Sequence, residues 1–172
     1  MKWISKYDVI LIAIASILSR LPMLLSENLF LDGDECIVGL MAKHFAEGNG
    51  IPLFFYGQSY GFSLFEIIPI SISYSILGVS EISVKISMLC LWTLSIILFY
   101  KTLQEIGSER NKWAPLLITM VYIFMPSFAI WSMKARGGYL TAFLLSSAVM
   151  YFLFNRKWKE SVFVSFIVGL SL

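Results

Sequence analysis

The residues of this chain that could do chemistry are crowded into one polar stretch. Asp32-Gly33-Asp34-Glu35 gathers carboxylates closely, and a carboxylate held at a water–lipid boundary can take a proton from a hydroxyl or amine, the usual task of a general base. Asp32 and Glu35 also have the spacing of a helix capping box, and acids in a first turn complement the helix dipole. The two roles are compatible, because one acid can cap while another works. A calcium loop is excluded, since Lys43 occupies the twelfth position from Asp32, where the closing Glu would stand. Asp32-Gly-Asp34 has the form of a metal-binding Asp-x-Asp of soluble nucleotide-sugar transferases, but no alternation of strands and helices surrounds it. No metal site, no cofactor and no Ser-His-Asp triad is expected. His44, the single histidine, reads as helix surface or polar packing rather than as a ligand.

Further candidates follow. Phe54-Phe55-Tyr56-Gly57-Gln58-Ser59-Tyr60-Gly61 is rich in aromatics that anchor at an interface or stack on a sugar. Glu66 lies just beyond. Arg20 and Arg136, the latter in Lys134-Ala-Arg136-Gly-Gly-Tyr139, suit bidentate binding of a phosphate. The plainer alternatives are that Arg20 snorkels and that Arg136 ends a helix before a glycine turn. Lys85 is expected to pair with Glu81 at i, i+4 spacing. Acids, aromatics, Gln58 and the arginines together suit a phosphate-linked, partly lipidic substrate.

These residues must be positioned by membrane elements. The chain has 172 residues, of which 58% are hydrophobic and only 14% charged, well below the soluble average of about 25% charged. The formal charge of +2 is too balanced for a nucleic-acid binder. Cys36 and Cys90 cannot form a disulfide framework and are expected to be reduced. Residues 9–25, 82–100, 113–131 and 139–154 each approach the roughly 20 apolar residues that a bilayer crossing needs. The basic loops at residues 101–112 and 155–159 are cytoplasmic by the positive-inside rule, with the N-terminus on the same side. That leaves residues 26–81 as an outer loop. Within it, residues 62–77 are expected to be interfacial or re-entrant, with Ile70 to Ile76 alternating like a strand. Ile37, Leu40, Met41, His44 and Phe45 recur at helical spacing, predicting an amphipathic helix on the outer leaflet that Gly48-Asn49-Gly50 and Pro52 close. The fold expected is all-α, a polytopic transmembrane helical bundle in one domain. Residues 162–172 read as a span cut short, so the chain is expected to be the N-terminal part of a longer protein.

Leu31-Asp-Gly-Asp-Glu-Cys-Ile-Val-Gly-Leu-Met-Ala-Lys-His44, followed by Pro52-Leu-Phe-Phe-Tyr-Gly-Gln58, resembles the first outer loop of the C-type membrane glycosyltransferases. These include the protein O-mannosyltransferases and the aminoarabinose transferase of lipid A. Residues 79–87 and 131–139 are similar to later landmarks of that family. The resemblance implies inverting transfer of a sugar from a polyprenyl-phosphate donor to a protein, lipid or glycan acceptor on the extracytoplasmic face of the plasma (inner) membrane, with no bound metal. It places the catalytic base on Asp34 with Glu35 as supporting acid, and it implies that Arg20 and Arg136 steady the departing phosphate. Asp32, Gln58, Tyr60, Glu66 and Tyr139 complete the expected substrate site. The competing readings are a transporter or lipid-flippase segment, which would carry charges at the centres of its spans, and a non-catalytic membrane subunit.

Overall fold

The computed structural model describes residues 6–27, 29–107, 111 and 113–155. Among them the chain is all-helical. The first apolar stretch forms α1 (Lys6–Leu18) and, after a break at Ser19-Arg20, the short α2 (Leu21–Leu24). Pro22 stands at the start of α2, where its missing N–H costs nothing but where it could not continue α1. The acidic stretch starts α3 (Gly33–Ala46), capped by Asp32. Next come α4 (Leu64–Leu77), α5 (Glu81–Ile106), α6 (Ala114–Phe124), α7 (Pro126–Trp131) and α8 (Tyr139–Phe154).

Two segments, Tyr7–Leu24 and Glu81–Ile106, are long and apolar enough to cross a membrane. The apolar helices α4, α6 and α8 are shorter. Helix α5 is the axis of the structure, packed against α8, α4, α1 and α6, while α3 lies on α4. Trp92 of α5 is fully buried and stacks on Phe128 and Phe143 with ring centroids 5.8 and 5.7 Å apart. Those rings tie α7 and α8 to the axis.

Several expectations need correction. Residues 113–131 are not one helix: Met125 precedes Pro126 and adopts extended backbone (φ −65°, ψ 124°), as steric conflict with the proline ring dictates. Residues 70–76 do not behave as a strand but lie within α4, whose packing against α3 and α5 overrides the local alternation. The buried face of α3 is Glu35, Val38, Gly39, Met41 and Ala42. It is rotated from the predicted stripe, so that Leu40 is exposed. Both cysteines are free, as expected. The apolar run 162–172 and the basic residues Arg110, Lys112, Arg156, Lys157 and Lys159 lie outside the described residues.

The α3–α4 contact turns on one glycine. A Cβ at Gly39 would stand 2.8 Å from the Tyr74 hydroxyl and 3.8 Å from Val84 Cγ2, so α3 approaches as closely as it does because no side chain intervenes. Gly39→Ala should lower stability by about 1 kcal/mol net, overpacking of about 1–3 kcal/mol being partly offset by the better helix propensity of Ala. Adding Tyr74→Phe should restore it. Denaturant unfolding of the two variants in detergent micelles checks this, and equal losses in the single and double variants would place the strain elsewhere.

Candidate functional site

The first turn of α3 distributes its acids to different tasks. Asp32 accepts the Glu35 backbone N–H at 3.1 Å, and the Glu35 side chain accepts the Asp32 N–H at 3.1 Å, which is the reciprocal capping box that the spacing predicted. Helical rotation then turns Glu35 inward, where it is 1% exposed, and leaves Asp34 outward with its side chain 52% exposed.

Glu35 does not contact the solvent side of the site. Its Oε1 takes Lys85 Nζ at 2.5 Å and the Ala135 N–H at 3.3 Å. Lys85, itself buried, also donates to the Met133 carbonyl at 3.1 Å. Lys85 thus pairs across the structure with Glu35, not along its own helix with Glu81. An isolated charge at either position would be strongly disfavoured, and the pair makes both tolerable.

Asp32 is gripped from the other side. Lys134 Nζ lies 2.8 Å away, and Arg136 Nη2 bonds the same Oδ2 atom. Partial burial pushes the Asp32 carboxyl up, but the bonds from Lys134, Arg136 and the Glu35 N–H outweigh it and hold Asp32 well below the usual carboxylate range. The same contact raises the Arg136 guanidinium. Arg136 also lies over the Trp131 ring, 5.1 Å from its centroid. Its Nη1 stands 3.6 Å from Asp34 Oδ2, beyond hydrogen-bond reach. Among the described residues, Asp34 is therefore the acid of this turn that accepts no hydrogen bond and keeps an open side.

Asp34 and Arg136 open on a cleft of about 510 Å³, a size suited to a small ligand. Gln58, Tyr60 and Tyr139 line it, with Phe55, Phe62, Thr141 and Leu145 continuing the wall. The loop that contributes Gln58 and Tyr60 is closed by the Phe55 N–H on Gly61 O and the Ser63 N–H on Leu53 O, both at 3.0 Å. Gly61 sits at φ +76°, and a Cβ there would meet Gly137 O at 3.1 Å, so the loop lies directly against the Gly137-Gly138 turn. Among the described residues, no group of three or more His, Cys, Asp and Glu side chains gathers closely enough to hold a metal ion.

Of the nine residues expected at the site, Asp34, Gln58, Tyr60, Arg136 and Tyr139 line the cleft. Asp32 adjoins it through Arg136. Glu35 and Glu66 lie behind it, fully buried or nearly so. Arg20 is 1% exposed; its guanidinium bonds Ser132 Oγ, Ser19 Oγ and Ile123 O and lies over Trp92. That placement satisfies neither the snorkelling expectation nor a place in the cleft. His44 bonds the Tyr56 hydroxyl at 3.0 Å, a packing role as expected. Sequence reasoning overlooked Trp131, Lys134 and Thr141. Lys134 and Trp131 flank Arg136 in the chain, and their signal was the density of charge and aromaticity in residues 131–139.

Compared with family models, curated proteins and solved structures, the chain matches none.

Lys85→Met should cost about 3–5 kcal/mol, because it leaves the Glu35 carboxylate buried without its cation. Adding Glu35→Gln should recover part of that loss. Chemical unfolding of the single and double variants measures the coupling, and strictly additive losses would mean that the pair is not an energetic unit.

Proposed function

We propose that the chain forms part of a polytopic membrane glycosyltransferase, moving a sugar from a polyprenyl-phosphate donor to a protein, lipid or glycan acceptor on the outer face. The observation that carries this reading is the inequality among the three acids. Asp32 is committed to Lys134 and Arg136, Glu35 to Lys85, and Asp34 alone stands open at the cleft beside a guanidinium. A base and a phosphate-binding cation side by side on the lining of a small cleft, their charged atoms 3.6 Å apart, are the two parts that this transfer requires.

In the proposed displacement an acceptor oxygen attacks the anomeric carbon from the side opposite the lipid phosphate. The new C–O bond forms as the bond to the phosphate oxygen breaks, the electron pair leaving with the phosphate and the acceptor's proton passing to Asp34. Arg136 offsets the charge that gathers on the departing phosphate through Nη1, which no hydrogen bond to the protein occupies. Gln58, Tyr60 and Tyr139 bound the sugar. Leu145 and Phe62, at the apolar part of the wall, face the lipid end of the donor. Arg20 has no part in this step, since it is 1% exposed and does not line the cleft, its Nε and Nη1 bonding the protein and its plane lying over Trp92. A transporter segment would be expected to hold unpaired charge within its long helices. Lys85 instead is neutralised by Glu35 near the start of α5.

Two measurements test the reading. The exposed Cys36, in the outer loop, should react with a membrane-impermeant maleimide in intact cells, whereas Cys90, in the middle of α5, should be shielded by lipid. Labelling of Cys36 only after lysis would reverse the topology. In membranes supplied with polyprenyl-phosphate hexoses and pentoses, Asp34→Asn should lower transfer by about 10²–10⁴-fold while donor binding persists. Near-normal transfer by this variant would remove Asp34 as the base.

A further inference from the structure

Behind the cleft lies a carboxylate that the proposed reaction does not use. Glu66, in the first turn of α4, is 0% exposed. Its two oxygens accept the N–H groups of Gly137 and Gly138, each at 2.9 Å. Among the described residues no cation pairs with it: Lys85 is held by Glu35, and Lys134 and Arg136 by Asp32. A buried negative charge balanced by backbone N–H groups and the Thr141 hydroxyl, with no cation beside it among the described residues, is a costly arrangement. It is matched by an equally constrained partner. Gly137 and Gly138 sit at φ +67° and +128°, and a Cβ at Gly137 would meet Phe55 Cδ2 at 2.8 Å and Ser63 Oγ at 3.0 Å. Only glycine fits there, yet glycine by itself is the most mobile of residues. The turn therefore needs an external restraint, and the one supplied is the Glu66 carboxylate. The residues on either side of the turn, Arg136 and Tyr139, both line the cleft.

We propose that Glu66 is a positioning residue whose ionised carboxylate pins the Gly137-Gly138 turn, so that Arg136 and Tyr139 are set for an anionic ligand only while Glu66 carries its charge. The proposal rests on the phosphate-binding reading of the cleft. Protonation removes the reason for the arrangement, because a neutral carboxyl presents one hydroxyl and can no longer accept strongly at both oxygens. Burial pushes the Glu66 carboxyl up to about 7, against the lowering effect of the Gly138, Gly137 and Arg136 N–H groups and the Thr141 hydroxyl, so the change falls within an accessible pH range. The charged groups on the elements packed round α4 are Asp34, Glu35 and Lys43 of α3 with its cap Asp32, Glu81, Lys85, Lys101 and Glu105 of α5, and Lys134 and Arg136 of the turn segment. Of the remaining titratable groups, His44 is the one that must be controlled.

The test uses the full chain in lipid nanodiscs and citronellyl methyl phosphate, a diester whose single negative charge is constant across the range. Binding should strengthen about tenfold from pH 6 to pH 8, the change in ionised fraction of one group titrating near 7. His44→Asn should keep that profile. Glu66→Gln should bind weakly and without pH dependence. Thermal stability should move the opposite way. The raised carboxyl in the folded state means that its favourable contribution is present below the ordinary carboxylate range and lost as pH rises through about 7. The wild type should therefore lose stability over this range relative to Glu66→Gln while it gains affinity, a divergence that a merely structural role would not produce. A pH-independent affinity in the wild type, with Arg136→Ala still weakening binding, overturns the role of Glu66 and leaves the phosphate reading intact. Absence of binding at every pH overturns both.

Discussion

Buried backbone that is not helical must find hydrogen-bond partners outside itself, and in this chain residues 132–138 are such a segment. Three helices answer that demand with charged side chains, and Arg20 adds a bond to the strap's first side chain. Arg20, after α1, bonds Ser132 Oγ; Lys85 of α5 bonds Met133 O; Glu35 of α3 takes the Ala135 N–H; and Glu66 of α4 takes those of Gly137 and Gly138. The polar interior is therefore not scattered. Its buried charged side chains, Arg20, Glu35, Glu66 and Lys85, all bond this one irregular strap, and the cleft is built along the strap's outer edge.

This arrangement explains why acids so close in sequence differ so much in character. A helix advances about 100° per residue, so the cap, the outward position and the inward position of one turn face three environments. Asp32 caps and bonds the strap's cations, Glu35 turns in to reach Lys85 and the strap's backbone, and Asp34 stands at the cleft, 3.6 Å from Arg136 and bound by no hydrogen bond among the described residues. The chemistry assigned to Asp34 depends on its neighbours being occupied. Were Lys85 absent, Glu35 would be left as a buried carboxylate without its cation, and the first turn of α3 would lose the anchor that turns Asp34 outward.

Local features of the sequence were legible where the physics is local. The capping box, the bounds of α8 and the packing role of His44 follow from spacing and composition. So does the gathering of Asp34, Gln58, Tyr60, Arg136 and Tyr139, which charge and aromatic content marked out. Long-range pairing was not legible. Lys85 lies 50 positions from Glu35 and Glu66 lies 71 from Gly137, and nothing in the spacing of either residue names its partner. The nearer candidate, Glu81, satisfied the helical rule and was still the wrong one, because a buried Lys gains more from a buried carboxylate than from one at a helix start. The orientation of α3 was hidden for a similar reason. Its periodicity marks an apolar stripe, but the face that packs is the one where Gly39 lets Tyr74 approach.

Arg20 shows how far the same constraint reaches. At the end of a span an arginine is expected to extend its head toward water. Here the chain breaks at Ser19-Arg20, and the guanidinium turns inward onto the Trp92 face, 4.6 Å from the ring centroid. The Ile123 carbonyl that it bonds belongs to the last turn of α6, where Met125 and Pro126 leave the helix without its usual continuation. One cation thus serves two interruptions, the end of α6 and the start of the strap at Ser132. The two lie at either end of α7, whose start Pro126 sets. Arg20 thereby ties the end of α6 to the strap that carries Arg136 to its place beside Asp34.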